Sequence, residues 1–272
     1  MSTITATRPS TATTTTRRSW LADVWLVMTR ELRPVAREPF SVVFGLIQPL
    51  VFLGLFGPLL AGSVGASAGF EGADVWQWFV PAILVMTTLF GTSTTGSNLQ
   101  FEMQTGAHER LLVTPLSRSS QLVGRSLKEM VPLVAQAVIL ILVMLPFGFR
   151  ADPVGGPLGL AMLAVLGVGL GSLSYALAIA VRKQEWMFWA VQQTVLFPLL
   201  ILSGMLLPLE TGPQWMKVAS AFDPLRWVVE AERALFAGDL TSSAVAAGWL
   251  AAVLTAAVGL AVGVRTLLRS TD

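Results

Sequence analysis

Residues 157–181 read PLGLAMLAVLGVGLGSLSYALAIAV and contain no Asp, Glu, Lys or Arg. A helix needs about 20 mostly apolar residues to cross a bilayer, so this run is long enough to span a membrane. The rest of the chain has the same character, since 54% of its 272 residues are hydrophobic and 12% are charged. Its mean hydropathy of +0.68 is too high for an ordinary soluble domain. The sequence therefore predicts an all-α, polytopic membrane protein.

Six runs of this kind occur along the chain, and none contains a charged residue. They predict transmembrane helices over residues 40–60, 76–98, 130–147, 157–181, 186–209 and 244–264. The fifth run contains Pro198 and Pro208, which can bend or break a helix near its end. Together the six spans predict one transmembrane domain over residues 39–268.

The distribution of basic residues predicts the orientation in the membrane. Of the 18 Lys and Arg residues, only four lie in the connections on one side: Arg150, Lys217, Arg226 and Arg233. Because basic residues concentrate in cytoplasmic loops, both termini and the 99–129 connection are predicted to be cytoplasmic. The Thr-rich residues 1–18 have no apolar segment and predict a disordered cytoplasmic tail.

Residues 19–38 predict an amphipathic helix that lies on the membrane surface before the first span. Its apolar positions recur every three or four residues: Leu21, Val24, Trp25, Met28, Leu32 and Val35. Its polar side carries Asp23, Arg30, Glu31 and Arg37. A partner-binding helix is the alternative, and the two roles are compatible.

Residues 210–240, between the fifth and sixth spans, predict a short outer pair of helices. Asp223 is a predicted N-cap with Pro224 at the first helical position, and Gly238 can end that helix. Arg226 and Glu230 stand four residues apart within it. The preceding stretch GPQWMKVASAF, residues 212–222, predicts the other helix.

The spans contain polar residues but no ionisable ones. An ion-coupled carrier usually needs an ionisable group at membrane depth, so this composition disfavours that class. Six residues are candidates for a substrate path, because amide and aromatic groups suit an amphipathic solute: Gln48, Phe52, Phe56, Phe90, Gln192 and Gln193. Hydrogen bonding between helices is the alternative for the polar residues.

Enzymatic chemistry has little support in the sequence. The chain has one His and no Cys, so no metal cluster and no nucleophile–base pair is visible, and we predict no catalytic or metal-binding residues. None of the three Lys residues follows a Gly, as the lysine of a phosphate-binding loop would. If the protein is a pump, another polypeptide must supply the energy.

The cytoplasmic stretch EMQTGAHERLLVTPLSR, residues 102–118, stands between two apolar runs. Met103, Ala107 and Leu111 fall at spacings of four residues, which predicts a short amphipathic helix, and the Thr114–Pro115 pair should end it. A new helix starting at Ser117 or Ser119 would lead to the third span. Taken alone, the stretch is better explained as a solvated loop whose basic residues set the topology.

The pattern E-x-x-x-G-x-x-E-R-L-L-V-T-P-L-S-R in this stretch resembles the cytoplasmic loop of ABC type-2 export permeases, in particular the daunorubicin-resistance branch. The resemblance extends over residues 19–268. It implies that the loop contacts an ATPase through Glu102, Gly106, His108, Glu109, Arg110, Leu111, Thr114 and Pro115. Members usually have Thr after the Gly and a small or charged residue before the Glu, where this chain has Ala107 and His108.

The resemblance also implies the partners and the function. Two permease subunits, identical or related, would sit on two ATPase subunits that bind ATP and Mg, while this chain binds no cofactor itself. The complex would export an amphipathic natural product or a lipid across the bacterial inner membrane, with membrane lipids but no nucleic acid as further partners. A secondary carrier and a membrane scaffold or intramembrane enzyme are the alternative classes.

Overall fold

The computed structural model describes residues 19–37, 39–63, 73–105, 118–182, 184–209 and 212–269. Over these ranges the regular structure is helical, apart from a 3-10 turn at Leu145–Phe147. The helices are α1 (Trp20–Arg37), α2 (Pro39–Ser63), α3 (Ala73–Gln104), α4 (Arg118–Met144), α5 (Gly155–Ala180), α6 (Glu185–Leu202), α7 (Gln214–Ala221), α8 (Pro224–Phe236) and α9 (Ser243–Arg269). The predicted all-α class is confirmed for these residues, and the predicted tail 1–18 lies outside them.

Five of these helices, α2, α3, α4, α5 and α9, are long and apolar enough to cross a membrane. The predicted fifth span, 186–209, corresponds to α6, whose apolar part is the shorter segment Trp186–Leu202. The helix ends there because the chain turns at Ser203 and Gly204, and Gly204 has a φ of +69°, which favours glycine. The six-span count therefore stays a prediction, and the end of that span at residue 209 is seven residues beyond the helix.

The helices extend past the apolar runs on the side where α3 ends and α4 begins. The third span was predicted to open at residue 130, and the predicted helix that leads to it from Ser117 or Ser119 is confirmed, since α4 begins at Arg118. Charged residues in this segment do not interrupt the helix, because Arg and Lys have high helix propensity. The predicted 99–129 connection thus consists largely of helix ends, with residues 106–117 outside the described part.

Helices α3 and α5 form the centre of the molecule. In each, 72% of the apolar segment is buried, against 22% in α2 and α9. Phe79, Ile83, Met86, Met162 and Leu166 are among their fully buried side chains. The more exposed helices surround this pair, as expected where lipid or another subunit covers the outer faces.

Helices α5 and α9 approach closely through glycines. A Cβ at Gly169 would lie 2.7 Å from the backbone of Ala256, and one at Gly259 would meet the Gly169 carbonyl. Gly169 of α5 and Gly259 of α9 therefore make a close contact between two helices of one chain, whereas a Cβ at Gly167 would meet the side chain of Leu133 on α4 at 2.7 Å.

Helices α7 and α8 cover one end of the bundle, which we call the cap end; the opposite end, where α3 ends and α4 begins, is the base end. The predicted cap of α8 is confirmed, since Asp223 Oδ1 accepts a hydrogen bond from Leu225 N at 2.9 Å. Arg226 Nε donates to Glu230 Oε1 at 2.8 Å, and Gly238 has a φ of +84° just past the helix end. Phe222, the last residue of the stretch that predicted the first outer helix, follows α7 and is 85% exposed.

Candidate functional site

A cleft of about 530 Å³ lies between α2 and α6, on the face of α3 that these two helices flank. Five of the six residues predicted for a substrate path line it: Gln48 and Phe52 of α2, Phe90 of α3, and Gln192 and Gln193 of α6. The sixth, Phe56, is not among the lining residues, but its ring stacks on Phe52 with centroids 5.3 Å apart. Residues from three distant parts of the sequence thus share one surface.

A second cavity of about 420 Å³ adjoins the first, because both are lined by Gln48, Phe90 and Thr94. It extends toward the base end as far as Lys128 and Glu129 of α4. The first cavity extends toward the cap end, to Ile201 and Leu206. Together they form a cleft along the part of α3 between Met86 and Asn98.

The cleft combines amide and aromatic groups. Gln48 and Gln193 are exposed, whereas Gln192 is 8% exposed and its Oε1 has no hydrogen-bond partner among the described residues. Trp189 adds a second aromatic surface beside Phe90. A buried amide oxygen without a partner can accept a hydrogen bond from a ligand, while the rings contact its apolar part. The arrangement suits a molecule with both kinds of surface.

Several other polar residues of the spans are satisfied within the protein, although Thr95 Oγ1 and the side-chain amide of Gln100 on α3 have no partner among the described residues. The hydroxyls of Thr87, Thr88 and Thr92 donate to carbonyls four residues earlier in α3, at 2.8 to 3.1 Å. These hydrogen bonds stay within α3. They are therefore not the bonds between helices that the sequence suggested as the alternative role of the polar residues.

That alternative does apply to three residues outside the threonine series. Ser172 Oγ lies 2.9 Å from Ser126 Oγ, Gly96 N donates to Ser174 Oγ at 3.1 Å, and Gln136 Nε2 donates to the Val42 carbonyl at 3.2 Å. These bonds join α5 to α4, α3 to α5 and α4 to α2, so the polar residues of the spans serve both packing and the cleft.

A buried ion-pair cluster lies at the base end, centred on Arg125 of α4. Arg125 is 6% exposed, and its Nη2 lies 2.6 Å from Glu102 Oε2 of α3 and 3.6 Å from Glu31 Oε1 of α1. The Glu31 and Glu102 side chains are 18% and 30% exposed, so these pairs are only partly buried, and loss of one partner should cost less than the roughly 3–5 kcal/mol of a fully buried pair. The cluster therefore holds three helices together.

The cluster changes the interpretation of two residues. Glu102, predicted to contact an ATPase, pairs with Arg125 of its own chain. Glu31, placed on the solvated side of the first helix, faces α4 instead. The other predicted coupling residues lie outside the described part: Gly106, His108, Glu109, Arg110, Leu111, Thr114 and Pro115.

Helix α1 docks on α4 beside this cluster. A Cβ at Gly124 would lie 2.8 Å from the Val24 carbonyl, and Trp20 Nε1 donates to Ser119 Oγ at 3.1 Å. Val24 and Val27 are buried, whereas Leu21 and Trp25 are 70% and 65% exposed. The predicted apolar face is thus divided between α4 and the outside of the molecule.

At the cap end, polar groups join α8 to the start of α3 and to the turn that follows α6. Arg233 lies over the Trp78 ring, 3.9 Å from its centroid, and donates to the carbonyls of Trp78 and Gly204 at 3.0 Å. Burial raises the pKa of Asp223 to about 7, although the hydrogen bond from Leu225 N opposes the rise. Burial alone raises the pKa of Glu232 to about 8.

Sequence reasoning did not single out Glu31, Arg125 or Glu232. The sequence signal that could have predicted the base-end cluster is the presence of opposite charges, Glu102 and Arg125, on the two sides of residues 106–117. Among the residues that the structure describes, no three His, Cys, Asp or Glu side chains lie close enough together to hold a metal ion.

Comparison with known proteins defines the class of this chain. Residues 22–237 match the family of ABC-2 type transporters, and the chain belongs to that family. It is a multi-pass membrane protein and the transmembrane permease subunit of an ABC exporter, in which the ATPase is a separate chain. The family predicted from residues 102–118 is confirmed, and the secondary-carrier, scaffold and enzyme alternatives are wrong.

The relatives include permeases of drug-resistance systems. The daunorubicin resistance ABC transporter permease protein DrrB1 of Streptomyces coeruleorubidus is 26% identical over 235 residues, covering 85% of this chain and 78% of the relative. DrrC of Mycobacterium tuberculosis, named a probable doxorubicin resistance permease, is 23% identical over 253 residues, or 91% and 90% of the two chains. YbhR of Escherichia coli, named a probable multidrug permease, is 26% identical over 193 residues, or 68% and 51%.

Proposed function

We propose that this permease exports an amphipathic, drug-like natural product or a lipid, and that the cleft between α2 and α6 binds it. The observation that carries the proposal is the lining of the cleft, where the Gln192 amide oxygen has no partner among the described residues and aromatic rings share the same surface. The names of the relatives, which include daunorubicin and doxorubicin resistance, support the same substrate class. Both drugs combine fused rings with hydrogen-bonding groups.

The surroundings of the cleft support entry from the membrane. Phe197 and Ile201 of α6 are 55% and 51% exposed, and Val51 and Leu55 of α2 are 49% and 63% exposed. Such surfaces are stable against lipid tails, in which an amphipathic solute concentrates. A second permease subunit, identical or related, would cover part of these faces and close the cleft from the other side.

The energy would come from ATP and Mg bound to a separate ATPase. We propose that residues 102–115 contact that ATPase through Gly106, His108, Glu109, Arg110, Leu111, Thr114 and Pro115, with Glu102 at the start of the segment. Sequence patterns support this role, since the chain has no phosphate-binding loop of its own. The basic residues further support a cytoplasmic base end, with both termini inside a bacterial cell and the cap end outside.

The substrate assignment is tested in proteoliposomes that contain the permease with its ATPase. Daunorubicin should stimulate ATP hydrolysis and accumulate on the opposite side of the membrane. Gln192→Leu should raise the half-maximal daunorubicin concentration about tenfold, because one hydrogen bond to a buried group is lost, an effect of about 1.4 kcal/mol. The matched control is Thr194→Val on the same helix, whose hydroxyl donates to the Ala190 carbonyl outside the cleft.

An equal shift in Gln192→Leu and Thr194→Val would contradict a binding role for the cleft. Stimulation by phospholipid but not by daunorubicin would assign the lipid rather than the drug. Stimulation by neither would overturn the proposed substrate class.

The coupling role is tested by replacing Glu109 and Arg110 together with Ala. The double variant should keep basal ATP hydrolysis while losing roughly tenfold or more of its drug-dependent transport, since a coupling of 1–3 kcal/mol corresponds to about 5–150-fold. Unchanged transport per ATP in this variant would remove these two residues from the coupling surface.

A further inference from the structure

Three helices meet at one side chain near the base end. Arg125 of α4 contacts Glu102 of α3 at 2.6 Å and Glu31 of α1 at 3.6 Å. The pair that it forms with Glu102 connects residues 23 positions apart, on the two sides of the 106–117 segment. By contrast, Arg226 and Glu230 pair within a single helix, and Lys128 pairs with its neighbour Glu129.

The position of Arg125 relative to the ends of the helices is informative. Glu102 lies in the last turn of α3, which ends at Gln104, and Arg125 lies in the second turn of α4, which begins at Arg118. The ion pair therefore joins the two helix ends between which the predicted ATPase-contacting segment runs. A displacement applied to that segment reaches α3 and α4 at the points that Arg125 connects.

The same helices carry the walls of the cleft. Lys128 and Glu129, at the base end of the cleft, lie about one helical turn beyond Arg125 on α4. Phe90 and Thr94, in its middle, belong to α3. If α3 and α4 move as one unit, the part of the cleft wall that these two helices form stays intact. If they move independently, a gap opens in that wall between them.

Helix α1 is part of the same arrangement. The backbone of α1 approaches Gly124 closely, immediately before Arg125, and Glu31 lies one to two turns further along α1 than the buried pair Val24 and Val27. Two independent contacts, one steric and one electrostatic, thus fix α1 on α4. The guanidinium group suits this junction because its several donors can serve two carboxylates at once.

We propose that Arg125 is a positioning residue that makes α1, α3 and α4 move as one rigid unit, so that ATP-driven displacement at the base end reaches the cleft. This inference rests on the proposed coupling to an ATPase. The new element is the side chain that transmits the motion. Glu102 then has two roles, because it pairs with Arg125 inside the chain and also stands at the start of the proposed coupling segment.

The test uses Arg125→Gln, Arg125→Lys, Glu102→Gln and the double variant Arg125→Gln/Glu102→Gln, each assembled with the ATPase. The ratio of daunorubicin transported to ATP hydrolysed should fall about tenfold or more in Arg125→Gln and less in Arg125→Lys. The double variant should be no worse than Arg125→Gln alone, since the two residues act through one contact. The matched control is Arg265→Gln, an exposed cation of α9 near the base end, which should keep the wild-type ratio.

A second measurement does not depend on the substrate or on transport. Because the chain contains no Cys, spin labels can be placed on single introduced cysteines without a background. Labels at Leu21 of α1, Phe101 of α3 and Val131 of α4, all exposed, report the distances between the three helices. These distances should stay constant in the wild type when vanadate traps the complex with ADP after hydrolysis, and they should broaden in Arg125→Gln.

The outcomes separate this inference from the proposal on which it rests. A wild-type transport ratio with unbroadened distances in Arg125→Gln would overturn the role of Arg125 and leave the ATPase coupling intact. Absence of any ATPase complex with the wild type would instead overturn the proposed coupling. If Arg125→Gln fails to assemble, Glu102→Gln and Glu31→Gln each remove one carboxylate partner of Arg125, and wild-type distances and ratios in both would equally reject the inference.

Discussion

Glu232 has a carboxyl group that is completely buried in α8, facing Gly159 of α5. Neither of its oxygens has a hydrogen-bond partner among the described residues, and burial raises its pKa from the ordinary 4.5 to about 8. The glycine matters at this position, because a Cβ at Gly159 would lie 2.5 Å from Glu232 Oε2. A protonated carboxyl is therefore the form that fits this site at neutral pH.

The buried carboxyl predicts how stability depends on pH. Because the folded protein holds this proton more tightly than the unfolded chain, stability should fall as pH rises from about 4.5 to about 8 and should level off above that range. Glu232→Gln keeps the size and removes the charge, so it should flatten this decline. Tryptophan fluorescence during thermal unfolding in detergent, at pH values from 5 to 9, measures the effect.

Glu230→Gln provides the control for that experiment, since it removes a partly exposed carboxylate from the same helix. The control should keep the decline with pH. An equal decline in wild type and Glu232→Gln would show that Glu232 does not hold a proton in the folded protein.

At the scale of elements, α5 and α9 illustrate how close packing replaces the hydrophobic effect between helices in lipid. A methyl group at Gly169 would meet the Ala256 backbone at 2.7 Å, whereas one at Gly171 would meet nothing within 4 Å. Gly169 and Gly171 lie on the same helix but differ in the space around them, so substitutions at the two positions can be compared directly.

Gly169→Ala should therefore destabilise the protein by about 1–3 kcal/mol, the usual effect of overpacking, and should lower its unfolding temperature. Gly171→Ala should leave it unchanged or raise it slightly, because alanine favours the helix by up to about 1 kcal/mol over glycine. Thermal unfolding combined with the oligomeric mass checks both. A change of oligomeric mass in Gly169→Ala without a loss of stability would contradict packing within one subunit.

For the whole molecule, the exposed apolar faces beside the cleft are expected to meet a second permease subunit. A cysteine at Ile201 of α6 should form a cross-link between two copies on mild oxidation, if the partner covers that face. A cysteine at Val253, which is 49% exposed on α9, should remain a monomer because lipid covers it. Denaturing gels of oxidised membranes show which of the two cysteine variants forms a dimer. Cross-linking through Val253 but not through Ile201 would place the partner subunit on α9 and contradict the prediction.

Several parts of this architecture follow from the sequence because they depend on local properties. Apolar runs without charge predicted the long helices, and Asp223, Pro224 and Gly238 predicted both ends of α8, since caps and turns involve neighbouring residues. The path candidates Gln48, Phe52, Phe90, Gln192 and Gln193 were chosen by chemical type, and the structure brings them to one cleft. The apolar run placed the third span at residue 130, twelve residues after α4 begins, because hydropathy marks where a helix enters lipid and not where it starts, whereas the capping serines predicted the helix start at Ser117 or Ser119.

What the sequence by itself determined is the composition of each helix, and with it the membrane class and the family motif at residues 102–118. Only the tertiary structure decided which faces meet. Arg125 stands 23 residues from Glu102 and further still from Glu31, and nothing local distinguishes these charges from solvated ones. Glu232 likewise stands two residues from Glu230, and only the packing of α8 against α5 buries one carboxyl and exposes the other. The physical reason is that burial and pairing are properties of contacts between distant segments, which local composition does not encode.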